Sequence, residues 1–406
     1  MRPIPVSAVL LTVVLACGAA PDAQSSDVST HLRGAEQFLN LAEANLAAGR
    51  PAEAVAAARR ATVAAPTLPS AWYELGRTYE AVARTAQATF ATGPEDAPWR
   101  DLISADRLLA SDQLTSAFVA YRTVLERLPE MVSIRDSIAT IYERTGHADW
   151  EAQERAAAAA FPTDCETRQA LCQFRAGQYA PALSSSLRAE DAESRYWRLR
   201  SANELSRAAY KHLDELADSS ERRLARAATL AGAQHRYTEA IVEMRAAVKL
   251  APGNPILVFD LATMEYEARD FEQALAAVAP LVRAHPDDRQ LLRLVGLSLM
   301  ELRRVDEAVP VLQRARAAAP SDSGVLLALG LAYLQKGDYA AAMPLLESEI
   351  SDDSDGSVHI QLARACIGLG QRDKAAVLLD QGQALQLRAD RQRAPAPQQT
   401  IVPPAR

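Results

Sequence analysis

The chain has 406 residues, of which 49% are hydrophobic and 23% charged, with a formal net charge of −7 at pH 7. That length allows two or three globular domains, while a modest negative charge spread along the chain argues against nucleic acid as a main partner. Rich in alanine and arginine and only 5% aromatic, the chain reads as helical, and no stretch alternates in the manner of a strand.

The chain opens with Arg2, an apolar run over residues 6–16 and the small residues Gly18, Ala19 and Ala20. This is the layout of a secretory signal, and the run is too short to cross a bilayer comfortably. Val14, Leu15 and Ala16 before Cys17 resemble a bacterial lipobox, in which the cysteine becomes the lipidated first residue of the mature protein. Ordinary cleavage between residues 16 and 23, discarding Cys17, is the alternative. Residues 1–16 are therefore assigned to a signal peptide and 17–33 to a linker.

Residues 34–164 carry helix pairs. Phe38, Leu41, Ala42, Gly49, Ala54, Ala61 and Pro66 set a register that Trp72, Leu75, Gly76 and Tyr79 continue. It breaks over an irregular insert near 84–98, read as a longer helix through about Phe90 followed by the punctuation of Gly93, Pro94 and Pro98. It resumes at Ile103, Ala105, Leu108, Ala117, Tyr121, Val124 and Pro129. Across 165–220 the spacings shorten and the proline stops vanish, which leaves degenerate helical repeats. Tyr196, Trp197 and Tyr210 still stand where bulky residues are expected.

Residues 221–388 are the regular part. Ala240, Ala274, Ala308 and Ala342 stand 34 residues apart, with Ala228, Ala262, Gly296 and Gly330 twelve before them and Pro252, Pro286 and Pro320 twelve after the first three. The register is helix, tight turn, helix, proline. Helices about 8 to 10 Å apart need small side chains at the contact, which predicts Gly330 facing Ala342. Leu326, Leu329 and Tyr333 fill the space beside it. Gly337 suits a left-handed helix end, and each proline lacks the N–H that would continue the second helix. Residues 389–406, with four prolines, are expected to be a disordered tail.

This pattern resembles the tetratricopeptide repeat. The resemblance implies an all-α, right-handed superhelical solenoid of antiparallel helix pairs, in which the first helix of each pair lines a concave face that binds peptides or helices of partner proteins. One helical turn off the packed positions, that face carries Phe259, Thr263 and Tyr266, then Arg293, Leu297 and Met300, then Leu327, Leu331 and Leu334, then Ile360, Arg364 and Ile367. So apolar a strip either covers a partner's amphipathic helix or is buried by the curvature of the array itself. The members of this family that clamp acidic carboxylates use lysines and asparagines along the groove. Here Lys211, Lys249, Lys336 and Lys374, and Asn40, Asn45, Asn203 and Asn254, all fall elsewhere.

Little else in the chain suggests chemistry. The six histidines are scattered, and neither a His-Glu-x-x-His nor a Gly-x-Ser-x-Gly motif occurs. Gly368 and Gly370 precede Gln371 and Arg372 at a repeat turn, not a phosphate-cradling lysine. Asp352, Asp353 and Asp355 lack the alternation of a calcium loop and read as a solvated loop, with Asp355 or Ser354 as a helix cap. No cofactor or metal is expected. Cys165 and Cys172, placed on one helix, would be separated by a rise of roughly 10 Å, too far for a disulfide, so they and Cys366 are read as packed thiols. Trp72, Trp150 and Trp197 read as core residues, whereas Trp99, beside the break in register, has room to project.

The expectation is an exported bacterial protein of the periplasm or outer membrane, held there by a lipid on Cys17 and acting as a non-enzymatic scaffold or adaptor for an envelope protein or peptide. Its partner and oligomeric state are not legible. The alternative is a regulatory or catalytic subunit of an envelope hydrolase with its site in 165–220, where Asp191, Glu193, Asp214 and Glu215 are the carboxylates to suspect.

Overall fold

The computed structural model describes residues 23–90, 95–234, 236–393 and 401–404, and among these it contains twenty α-helices and no strand. The chain divides into two compact units, Met1–Ala225 with Ala396–Arg406, and Arg226–Pro395.

In the first unit, α1 (Ala23–Ala47) pairs with α2 (Pro51–Ala64), and α3 (Pro69–Ala88) follows. Then α4 (Ala97–Ala110) pairs with α5 (Leu114–Arg127), α6 (Val132–Arg144) with α7 (Ala148–Ala160), and α8 (Gln169–Arg175) with α9 (Tyr179–Ser186). The 24-residue α10 (Ala192–Glu215) closes the unit. The division falls within α11 (Ser220–Gln234), and the second unit continues with α12 (Tyr237–Leu250). Four further pairs follow, α13 (Pro255–Glu267) with α14 (Phe271–Ala284), α15 (Arg289–Glu301) with α16 (Val305–Ala318), α17 (Ser323–Lys336) with α18 (Tyr339–Ser348), and α19 (Ser357–Gly368) with α20 (Arg372–Arg393).

The second unit keeps the 34-residue period in atomic detail. Ala240, Ala274, Ala308 and Ala342 are all fully buried. Asn254, Asp288 and Asp322, also 34 apart, cap α13, α15 and α17 by accepting backbone N–H bonds from residues two or three further on, an arrangement worth about 1 kcal/mol per helix. Each first helix then ends in a left-handed residue: Arg269, Arg303 and Gly337, with φ of 65°, 62° and 82°. The close contact differs from expectation. Gly330 faces Leu345 and Leu346 of α18, not Ala342, because the glycine opens a notch into which the leucine one turn further along the antiparallel partner fits.

The first unit departs from a nearest-neighbour array. Helix α10 packs along α3, far from it in sequence, with Trp72 on His212 at a ring separation of 3.9 Å and Tyr73 near Tyr210 at 6.2 Å. Helix α10 also touches α4, α8 and α9. Trp99, expected to have room to project, is buried instead and packs at 5.7 Å on Tyr196.

Other expectations are corrected as well. Cys165 and Cys172 form a disulfide, their Cα atoms 5.7 Å apart. Cys165 lies in the turn before α8 and not on the helix that holds Cys172, so the straight-helix rise does not apply. Cys366 is free and fully buried. Asp353 is not solvated; its carboxylate is buried and accepts both the backbone N–H and the Nδ1 contact of His359, at 2.9 and 2.6 Å. Helix α1 already includes residues 23–33, assigned above to a linker. The expected tail is helical through Arg393, and residues 401–404 pack into the first unit. Cys17 and the signal segment lie outside the described residues.

A candidate binding face on the second unit

The sequence-derived strip lies on the first helices α13, α15, α17 and α19. Phe259, Thr263, Tyr266, Leu297, Leu327, Leu331 and Ile360 are half-buried, and Arg293, Arg364 and Ile367 are exposed. Met300 and Leu334, placed in the groove by sequence, are only 6% exposed. Met300 belongs to the cluster of Leu299, Ala308, Ala328, Leu329 and Ala332, and Leu334 to that of Leu346, Val358 and Leu362. Towards the end of a first helix, the position one turn off the pair contact thus faces the next repeat and not the groove.

The half-buried members are wedges with one face left over. Leu331 packs against the clusters of both flanking repeats, Leu297 against that of α15 to α17, and Phe259 and Tyr266 against Ala262, Val278, Leu291 and Leu294. Arg293 lies across Gly324, its guanidinium Nη1 2.8 Å from where a Cβ would stand. Burial pushes the Tyr266 hydroxyl pKa up, and the nearby Glu301 and Glu267 carboxylates add to the shift. The face therefore combines apolar edges with the cationic groups of Arg293 and Arg364, and Ile367 is its most exposed apolar member, at 55%.

The carboxylates suspected of catalysis fall at opposite ends of α10: Asp191 and Glu193 line one cleft at its start, and Asp214 and Glu215 stand at its end. Asp191 caps α10 by accepting from the Ser194 backbone N–H. Glu193 accepts from Arg168 at 2.8 Å and from the Trp197 indole at 3.1 Å. Asp214 pairs with Arg222, and Glu215 lies 3.6 Å from His212. Among the described residues no three His, Cys, Asp or Glu side chains are grouped as a metal site.

Sequence reasoning missed a half-buried polar centre in the first unit. Asp106 of α4 accepts hydrogen bonds from Tyr121 at 2.6 Å, from Tyr196 at 2.9 Å and from Arg200. Arg200 in turn lies over the Phe174 ring at 5.1 Å. Burial holds both tyrosines well in the phenol form, and Asp106 holds Arg200 charged against its own desolvation. Every partner is matched, so the centre locks α10 to α4 and α5. No local motif announces it, because its members are up to 94 residues apart.

The tetratricopeptide repeat family model matches residues 225–289, 259–323 and 294–357. These windows coincide with the capped, 34-residue pairs. No curated protein matches the chain significantly. Among solved structures, the chain is similar to MamA MSR-1 C2, at 19% identity and a TM-score of 0.36 over 42% of this chain and 98% of that one. It is also similar to MamA 41-end from Desulfovibrio magneticus RS-1, at 17% identity and a TM-score of 0.39 over 43% and 98%. The third is TTC0263, a thermophilic TPR protein in Thermus thermophilus, at 20% identity and a TM-score of 0.35 over 42% and 96%. These likenesses are too distant to bear on function. The described residues form an all-α protein of antiparallel helix pairs, in which residues 225–357 match the tetratricopeptide repeat.

Proposed function

We propose that the protein is a non-enzymatic scaffold or adaptor that binds a protein or peptide partner in the bacterial cell envelope through the first-helix face of its second unit. The observation that carries this reading is the row of half-buried apolar side chains flanked by the exposed Arg293, Arg364 and Ile367. An amphipathic helix with an acidic edge complements such a face. The lipobox-like residues before Cys17 support the location, since a lipid anchor holds an exported protein at a membrane.

The test is affinity purification from membranes, with mass spectrometry, of the wild type and of the triple variant Arg293→Glu, Arg364→Glu and Ile367→Glu. Because these three are exposed, helicity by circular dichroism should be unchanged while recovery of the partner falls; undiminished recovery would refute the face. Cys17→Ser should move the protein to the soluble fraction, and a wild type that takes up no palmitate label would refute the anchor.

A further inference from the structure

Residues 401–404 adopt no regular structure and lie against α5, α6 and α7 of the first unit. Ile401 packs on the cluster that contains Phe118, Tyr142 and Leu125. The Tyr142 Oη donates a 2.7 Å hydrogen bond to the Val402 carbonyl. Pro404 closes one side of a cleft of about 270 Å³, whose other walls include Arg122, Leu125 and Glu126 of α5, Arg135 of α6, and Gln153 and Glu154 of α7.

The receiving side is built. Tyr142 is fully buried, edge-on to Trp150 at 5.6 Å and near Phe118 at 5.6 Å, and His147 stacks on Trp150 at 4.2 Å. His147 is held in turn by Thr145, with 2.9 Å between Nδ1 and Oγ1. The floor is the buried Glu154, paired with Arg135 at 2.8 Å.

The occupant is also chemically defined. Val402 precedes Pro403 and is restricted to extended backbone, and Pro403 and Pro404 have no N–H to offer. Its proline half can be held only through carbonyls and apolar edges, and a slot with a phenolic donor beside an apolar cluster supplies both. Segment and slot share one chain, which gives an effective concentration on the order of millimolar.

We infer that the slot formed by α5, α6 and α7 is a second binding site, separate from the face on the second unit, that accepts extended apolar-proline peptides and is occupied in cis by residues 401–404. An outside ligand of that chemistry must displace the chain's own segment, so occupancy of the slot is self-limited.

The probe is a fluorescein-labelled peptide of residues 400–405, followed by fluorescence anisotropy. Full-length Ile401→Asp should bind it at least about tenfold more tightly than the wild type, whose own segment competes. Adding Tyr142→Phe should weaken binding about fivefold, the scale of one neutral hydrogen bond, and a peptide with alanine at both proline positions should bind worse still. Should Ile401→Asp fail to fold by circular dichroism, the chain ended after Pro395 serves in its place. Failure of either vacated form to bind the peptide, or equal binding by wild type and vacated form, would overturn the inference.

Discussion

The side chain of Leu312 fills the space that a Cβ on Gly296 would need, with its Cδ2 only 2.4 Å from that position. The same offset recurs one repeat later between Gly330 and Leu346, at 3.0 Å. Leu312 is fully buried and has little room to retreat. Gly296→Ala should therefore destabilise the second unit by about 1 to 3 kcal/mol and Gly330→Ala by less. Exposed Glu307→Leu should stay within about 0.5 kcal/mol. Urea denaturation of the three variants checks the order, and equal midpoints for Gly296→Ala and Glu307→Leu would refute this packing.

Arg303 occupies the left-handed turn position that Gly337 fills in the next repeat, at φ of 62° against 82°. An L side chain in that region is strained by about 1 to 2 kcal/mol, partly offset by the entropy that a glycine would lose on folding. Arg303→Gly is expected to stabilise the second unit by about 0.5 to 1 kcal/mol, read as a higher denaturation midpoint at unchanged slope. Gly337→Ala should move the midpoint the other way.

The Cys165–Cys172 disulfide closes a short loop before and through α8. On the chain-entropy account a loop of this length is worth about 2.5 kcal/mol. Reductant, or Cys165→Ser with Cys172→Ser, should lower the melting temperature of the first unit. Alkylation of the unreduced, unfolded chain, read by mass spectrometry, should leave both residues unmodified while labelling Cys366.

Two buried groups give opposite limbs to the pH profile of stability. Burial raises the Asp353 pKa, but the hydrogen bonds from His359 outweigh it and hold the carboxyl below its ordinary value of 3.8. Its contribution is present above that value and is lost as pH falls through the lowered one. Tyr142 is pushed up to about 12 by burial first and the Glu154 charge second. The phenol form is thus favoured in the folded state, and stability present below about pH 10 is lost as pH rises through about 12. Asp353→Asn should flatten the acid limb and Tyr142→Phe the alkaline limb of denaturation midpoints measured across pH.

What the sequence determined by itself is the part in which contacts repeat at a fixed separation. Ala240 to Ala342, the proline stops and Gly337 lie within one helix pair or between adjacent pairs, so their packing needs recur every 34 residues and are legible as spacing. The caps Asn254, Asp288 and Asp322 obey the same period and were there to be read. The same register placed the members of the candidate face on the first helices. The burial of Met300 and Leu334 did not follow from it, because burial at a helix end depends on the neighbouring repeat.

Tertiary structure alone decided the long-range packing of the first unit. The packing of α10 on α3, the junction of Asp106 with Tyr196 and Arg200, and the hydrogen bond from Tyr142 to Val402, 260 residues away, join segments with no shared period. The disulfide was hidden by a smaller version of the same problem, since whether residues seven apart can meet depends on where a helix begins. Contacts that close long loops leave no trace in local spacing, because the partners are chosen by shape and by polar matching after the chain has folded back on itself.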